Sequence, residues 1–218
     1  MKSLLKMLLS GIYAGLAIGL GSFGYILTRY LTNNTLLASC IFSIGLTIVC
    51  LSRFNLYTGK VGVFLDKRGK VIENLINLPI MLIGNTVGAF ALGILCHFIF
   101  LNVADFQQLA VDVSIGKTSS TMVVAEGIFC GALVYVAVYA FNNFQNLAMK
   151  ILGIITPITL VVYSGFQHCI ANMFYFGMAF NWNIDMLWNI LIVILTNSVG
   201  ALIVSGLVHL SAIVSGQK

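Results

Sequence analysis

Long stretches of this chain carry no charged residue, and this feature restricts its fold more than any other. Only 8% of the 218 residues are charged, whereas 60% are hydrophobic. A water-soluble domain needs more charged side chains to cover its surface, so the sequence predicts an integral membrane protein. About 20 apolar residues suffice to cross a bilayer as a helix. Six such spans are predicted, over residues 8–29, 36–56, 78–101, 119–141, 151–178 and 187–210.

The connections between these spans are short, so we expect one membrane domain over residues 1–218 with no soluble domain attached. The connection 102–117 is the one with room for a small external structure. The apolar run after Lys2 and Lys6 is longer than the core of a signal peptide, so we expect it to remain as the first span. All five cysteines lie within spans and are interpreted as small hydrophobic residues, not as disulfides or metal ligands.

The net charge of +5 comes from basic residues at the connections, which do not form the stripe typical of nucleic-acid binding. Loops rich in lysine and arginine stay in the cytoplasm. With the N-terminus inside, Arg29 and Lys117 fall in outer connections. The cytoplasmic set is Lys2, Lys6, Lys67, Arg68, Lys70, Lys150 and Lys218. We therefore expect a multi-pass protein of the cell inner (plasma) membrane with both termini in the cytoplasm.

Two pairs of similar segments predict an internal repeat. GIYAG at Gly11–Gly15 resembles GIFCG at Gly127–Gly131, and the third-span Asn85 matches the sixth-span Asn197, each within N-[TS]-V-G-A. The two pairs are separated by 116 and 112 residues, which indicates two halves of three spans each. The halves cover about residues 8–101 and 119–210. Because three is odd, the second half enters the membrane from the opposite side, giving inverted repeats. Chance similarity between small-residue helix faces is the alternative.

Polar residues interrupt the second and fifth spans. SRFNLYTGK at Ser52–Lys60 follows a clean apolar helix, and GFQHCIANMF at 165–174 places Gln167, His168 and Asn172 inside the fifth span. Polar groups at membrane depth are tolerated where a helix breaks against protein or a water-filled cavity. We expect both helices to be broken, and paired broken helices in inverted repeats place a solute pathway between them.

These segments resemble the formate/nitrite transporter family of pentameric anion channels. SGFQHCIANMF at Ser164–Phe174 is similar to the family signature Gly-Phe-Glu-His-x-x-Ala-Asn-Met-Phe. NLYTGK at Asn55–Lys60 resembles the loop that interrupts its second helix, and IGNTVGA at Ile83–Ala89 resembles its third-helix motif. The resemblance implies an all-α membrane fold of six helices with helices 2 and 5 broken, similar to aquaporins. It also implies a homopentamer in which each protomer carries its own pore.

The resemblance further implies roles for polar residues of the pore. His168 corresponds to the central pore histidine, and Thr58 in the interrupted second helix faces it. Thr58 could instead cap the short helix after the break. Asn172 hydrogen-bonds either the broken backbone or the solute.

Constriction residues follow from the same resemblance. The inner constriction corresponds to Leu56 and Tyr57, and the outer one to Phe42 and Leu46. This chain departs from the family at Val161, where some members carry a phenylalanine, at Gln167, which replaces the signature glutamate, and at Tyr135, which replaces a frequent asparagine.

Three basic residues near the breaks have alternative roles. Lys117 corresponds loosely to a vestibule lysine that attracts anions, or is a solvated loop residue. Lys60 serves the cytoplasmic mouth or extends to lipid headgroups. Arg53 needs a partner at its depth, for which Glu126 and Gln167 are the candidates.

Together these features predict a passive or proton-linked channel for small monovalent anions, with formate chosen ahead of nitrite and hydrosulfide. Its expected partners are the anion, the lipid bilayer and copies of itself, without nucleic acid, cofactor or metal. A neutral-solute facilitator is the second hypothesis, although Pro79 and Pro157 are the only prolines and no Asn-Pro-Ala pair exists. A membrane enzyme is the third, and the chain shows neither a metal-ligand cluster nor a nucleophile–base pair to support it.

Overall fold

The computed structural model describes residues 2–62 and 71–216, without the side chains of residues 2 and 71–75. Lys67, Arg68, Lys70 and Lys218, which contribute to the predicted orientation, lie outside the described residues, as does the side chain of Lys2. All regular secondary structure within the described residues is helical, which confirms the all-α prediction. The helices are α1 (Lys2–Thr32), α2 (Thr35–Ser52), α3 (Tyr57–Val61), α4 (Val71–Ile99), α5 (Ala104–Thr118), α6 (Val123–Asn143), α7 (Leu147–Tyr163), α8 (Cys169–Ala179) and α9 (Ile184–Val214).

Five helices in the described part of the chain are long and apolar enough to cross a membrane. They are α1, α2, the Ile76–Ile99 part of α4, α6 and α9. The predicted fifth span, 151–178, falls on the shorter apolar helices α7 and α8, and residues 164–168 between them are not helical. Residues 53–56 likewise separate α2 from the one-turn helix α3.

The predicted outer connection contains a helix of its own, α5, so the fourth span begins later than expected. The prediction started this span at residue 119, whereas α6 begins at Val123 after a short polar run. Lys117 consequently lies in the last turn of α5 and does not open the fourth span.

Small residues allow two helix pairs, α1 with α4 and α6 with α9, to approach closely. A Cβ atom at Gly15 would overlap the carbonyl oxygen of Asn85, and one at Gly131 would overlap the carbonyl oxygen of Asn197. Only glycine fits where the backbones approach so closely. Residues matched by the sequence repeat thus make the same contact in both pairs.

The short helices that follow the two breaks, α3 and α8, lie largely inside the molecule. All 11 residues of α8 are buried, and in α3 Thr58, Gly59 and Val61 are buried. The start of α1 and the last turns of α9 lie beside α3, since the Asn55 N–H donates to Ser10 Oγ and Ser205 Oγ donates to the Gly62 carbonyl. We call this the α3 end of the molecule. Helix α5 packs against α8 and α9 at the opposite end, the α5 end.

Candidate functional site

Thr58 and His168 meet in the interior between the two polar segments. Thr58 Oγ1 and His168 Nε2 are 3.1 Å apart, and the two side chains are 0% and 5% exposed. Thr58 comes from α3 and His168 precedes α8, so the contact joins residues that are 110 positions apart in the chain. Thr58 makes no cap at the start of α3, where the N-cap residue Leu56 has no side-chain hydrogen bond.

The second ring nitrogen of His168 determines which tautomer is present. His168 is the N-cap of α8, and its Nδ1 accepts a hydrogen bond of 3.2 Å from the Ala171 N–H. A nitrogen that accepts this bond carries no proton, so the neutral ring holds its proton on Nε2. His168 therefore donates to Thr58 Oγ1, and the Thr58 hydroxyl proton is free to donate to a third group.

Two asparagines hold the broken backbone in place. Asn85 Oδ1 accepts from the Tyr57 N–H at 2.8 Å, and Asn85 Nδ2 donates to the carbonyls of Asn55 and Gly11. Because the Tyr57 N–H and the Asn55 carbonyl lie at the break and have no helical partner, the amide supplies the hydrogen bonds that membrane depth otherwise denies them.

The second asparagine repeats this pattern in the other half of the chain. Asn197 Oδ1 accepts from the Cys169 N–H at 3.0 Å, and Asn197 Nδ2 donates to the carbonyls of Gln167 and Gly127. Sequence analysis treated both asparagines as markers of the repeat and missed this function. Their presence in both halves, beside the close glycine contacts, was the signal.

Lys117 is attached to the second break. Its Nζ donates to the carbonyls of Gly165 and Phe166 at 2.8 and 3.0 Å, so it is not a free loop lysine. Burial lowers the pKa of Lys117 to about 8, and the nearby Glu126 carboxylate limits this shift. A cation is therefore held at the α5 end of the candidate pathway.

An amide network surrounds this lysine. Gln167 Nε2 donates to Glu126 Oε2 at 3.0 Å and to the Lys117 carbonyl at 3.1 Å. Asn172 Nδ2 donates to Gln167 Oε1 and to Asn189 Oδ1, so Asn172 contacts side chains and not the broken backbone. Asn189 was also missed by sequence analysis. Asn172 Oδ1 is buried and has no partner within the described residues.

Two cavities lie on either side of the Thr58–His168 contact. The outer cavity, toward the α5 end, has a volume of about 20 Å³, close to what one water needs. Its walls include His168, Lys117, Asn172, Phe42, Val161 and Phe166. The inner cavity, toward the α3 end, has a volume of about 370 Å³. Its walls include Leu46, Leu56, Arg53, Lys60 and Lys150.

Three further residues are placed relative to the inner cavity. Leu46 lines the inner cavity with Leu56, in contrast to the outer position that the resemblance implies, because it lies one turn further along α2 than Phe42. Tyr57 does not line the inner cavity, since its hydroxyl makes a 2.8 Å hydrogen bond with Ser198 on α9. Arg53 lies in the wall of the inner cavity, and its candidate partners Glu126 and Gln167 bind each other.

Tyr135, which stands where the family often has asparagine, packs at the α3 end. Tyr135 is buried, and its ring lies against Gly62, with Ala201 in the same apolar cluster. Its volume occupies space beside the one-turn helix, which a smaller asparagine would leave open.

Known proteins similar to this chain fall into one group. A family model described as "Formate/nitrite transporter" matches residues 1–211. "Uncharacterized transporter YrhG" of Bacillus subtilis (strain 168) is 31% identical over 192 residues, which cover 82% of this chain and 72% of that protein. "Formate channel FocB" of Escherichia coli (strain K12) is 32% identical over 147 residues, so that the match covers 64% of this chain and about half, 52%, of that relative's length.

Solved structures share the same fold. A "Pentameric formate channel with formate bound" superimposes with a TM-score of 0.83 at 26% identity, covering 98% of both chains. An "FNT family ion channel" superimposes with a TM-score of 0.74 at 23% identity, covering 96% of this chain and 89% of that one.

Proposed function

This chain belongs to the formate/nitrite transporter family, and from that premise we propose that it is a channel for small monovalent anions, with formate as the first substrate. The observation that supports this proposal most directly is the hydrogen bond between Thr58 and His168. It lies between two cavities, each with lysine in its wall, where the two polar segments meet. Several relatives carry names that include formate, as does the pentameric structural neighbour.

The pathway runs between two interrupted spans of an inverted repeat. We assign α2 with α3 to the second span and α7 with α8 to the fifth. Asn85 and Asn197 make matching sets of hydrogen bonds, which we call clamps. The partners that Asn197 binds lie 112 or 116 residues after those that Asn85 binds, and this supports the pairing. Six spans then result from the described helices, with the helix α5 outside them.

The central step is the passage of the acid through an apolar constriction. Carrying a bare carboxylate through it is costly, and protonation removes most of that cost. Lys117 and the cations of the inner cavity concentrate the anion at the two mouths. The Thr58 hydroxyl, whose oxygen accepts from the His168 Nε2–H, then offers its proton to a carboxyl oxygen of the neutral acid.

The capping bond of His168 favours this route over a charged histidine. Protonating Nδ1 would remove the acceptor of the Ala171 N–H and place a positive charge at the N-terminal end of α8, which already carries a partial positive charge. The proton that neutralises the substrate therefore comes from bulk water at the vestibule in this proposal. His168 acts as a donor of fixed direction.

Orientation and assembly complete the proposal. The α3 end, which holds the start of α1 and the last turns of α9, faces the cytoplasm, in agreement with the lysines near the chain termini. Five protomers form a ring in the inner membrane, each with its own pathway. The pentameric structural neighbour supports this number.

Flux through proteoliposomes tests the proposal. Uptake of formate, nitrite, hydrosulfide and glycerol is compared for the wild type, Thr58→Val and Thr156→Val. Valine replaces the hydroxyl by a methyl group of similar size. Thr156 is a matched control, because it is exposed on α7 and bonds only the Leu152 carbonyl of its own helix.

We expect formate to be the fastest solute and Thr58→Val to reduce its flux about tenfold, as for a lost donor at a narrow site. Thr156→Val should transport like the wild type. Faster glycerol than formate would identify a neutral-solute facilitator. Equal formate flux in both variants would remove Thr58 from the pathway.

A further inference from the structure

We propose that the groove between the start of α1 and the end of α2 binds the headgroup of an anionic phospholipid. This groove, of about 510 Å³, lies at the α3 end and shares Arg53 and Phe54 with the walls of the inner cavity. Lys6, Arg53, Ser10 and Ser52 supply its polar part, and Leu9 and Tyr13 belong to its apolar part.

Two exposed cations define the polar end. Among the described residues, neither the Lys6 ammonium nor the Arg53 guanidinium has a hydrogen bond or an ion pair. Arg53 adopts a left-handed conformation, with φ of 57°, at the C-cap of α2, and its N–H is bonded to the Cys50 and Val49 carbonyls. Glycine adopts this conformation without strain, whereas arginine does not. The backbone of Arg53 is thus fixed, and its side chain lines the same groove as Lys6, where a phosphodiester could accept from both.

The rest of the groove is apolar and continues along the outer face of α1. Leu9 and Tyr13 are exposed, and the Tyr13 ring packs on Phe54 with 5.4 Å between ring centres. Cations followed by an apolar surface match a phosphate followed by an acyl chain. The groove includes the first turns of α1, which carry the exposed Lys6, and in this proposal that part reaches the headgroups, where basic pockets between helices bind anionic lipids.

Lipid retention by the purified protein in its native assembly tests this assignment. Native mass spectrometry compares binding of phosphatidylglycerol and phosphatidylcholine to the wild type, the double variant Lys6→Gln/Arg53→Gln, and the control Arg29→Gln. Arg29 is a matched control because it is an arginine at the far end of α1. Added glycerol phosphate serves as a headgroup without an acyl chain.

We expect the wild type and Arg29→Gln to retain phosphatidylglycerol in preference to phosphatidylcholine, and the double variant to lose affinity about tenfold or more. Glycerol phosphate should not displace the lipid. Equal retention of both lipids, or undiminished binding by the double variant, would overturn the proposal. Dissociation of the assembly in the double variant, with lipid binding unchanged per protomer, would assign the groove to contacts between copies. None of these outcomes depends on which solute is transported.

Discussion

His168 uses both of its ring nitrogens, and this limits the chemistry it can perform. Nδ1 caps α8 and Nε2 faces Thr58 Oγ1, so the ring is oriented from two sides. Lys117 is similarly constrained by two backbone carbonyls of the second break. At the scale of single residues, the candidate site consists of donors whose directions are set by the backbone they support.

A pair of variants separates the donor role of His168 from proton exchange. Asparagine can both cap a helix and donate a hydrogen bond, whereas phenylalanine can do neither. We expect His168→Asn to keep formate flux within a few-fold of the wild type, with the same pH profile. His168→Phe should lose most of the flux. A pH profile that flattens in His168→Asn would show that the ring exchanges a proton with the substrate.

The pKa of Lys117 predicts an alkaline loss of anion capture. Because burial lowers that pKa from 10.5 to about 8, the charge is complete below about pH 7 and is lost as the pH rises through 8. Arginine stays charged at these values. Formate flux of the wild type divided by that of Lys117→Arg should be constant at pH 6 to 7 and fall several-fold by about pH 9.

The ratio removes the pH dependence of formic acid itself and of the neighbouring Glu126 and His168, which both proteins share. A ratio that stays constant to pH 9 would mean that the Lys117 charge does not contribute to capture, or that its pKa is not lowered.

At the scale of elements, the two breaks depend on asparagines that belong to other helices. Each of Asn85 and Asn197 satisfies one N–H and two carbonyls, and both are fully buried. The short helices α3 and α8 are thus attached to the long helices α4 and α9. The positions of α3 and α8 consequently depend on these two asparagines.

Removing either clamp should destabilise the protein to a similar degree. Asn85→Ala and Asn197→Ala each leave one N–H and one carbonyl of a break unpaired, at about 1–3 kcal/mol for each buried group. We expect thermal unfolding in detergent to shift down by several degrees in both. Asn143→Ala is the control, because Asn143 is exposed and bonds only the Tyr139 carbonyl of its own helix. Clamp variants as stable as this control would contradict the assignment.

At the scale of the whole molecule, the α3 end collects the start of α1, the end of α9 and the mouth of the inner cavity. Many large apolar side chains on the outer helix faces are exposed, as expected where lipid or neighbouring protomers cover them.

Measurements of the assembly mass and of the side on which the termini lie test the proposed pentamer and orientation. We expect the mass in mild detergent to equal five protomers, and tags at both termini to be accessible from the cytoplasmic side. A stable monomer or tetramer would contradict the pentamer. Termini on opposite sides would require an odd number of spans and would remove the inverted repeat.

The amino-acid sequence by itself determined the membrane location, the helical class and the family, because hydrophobic length and short motifs are local properties. It also identified His168 and Thr58 as neighbours, through a family resemblance. The tertiary structure decided what local patterns do not contain. The direction of Leu46, the attachment of Lys117 to the second break, the hydroxyl of Tyr57 and the partners of Asn172 all depend on helices distant in sequence. Hydrogen bonds across such distances are set by packing, since a buried polar group takes whichever partner the fold brings within reach.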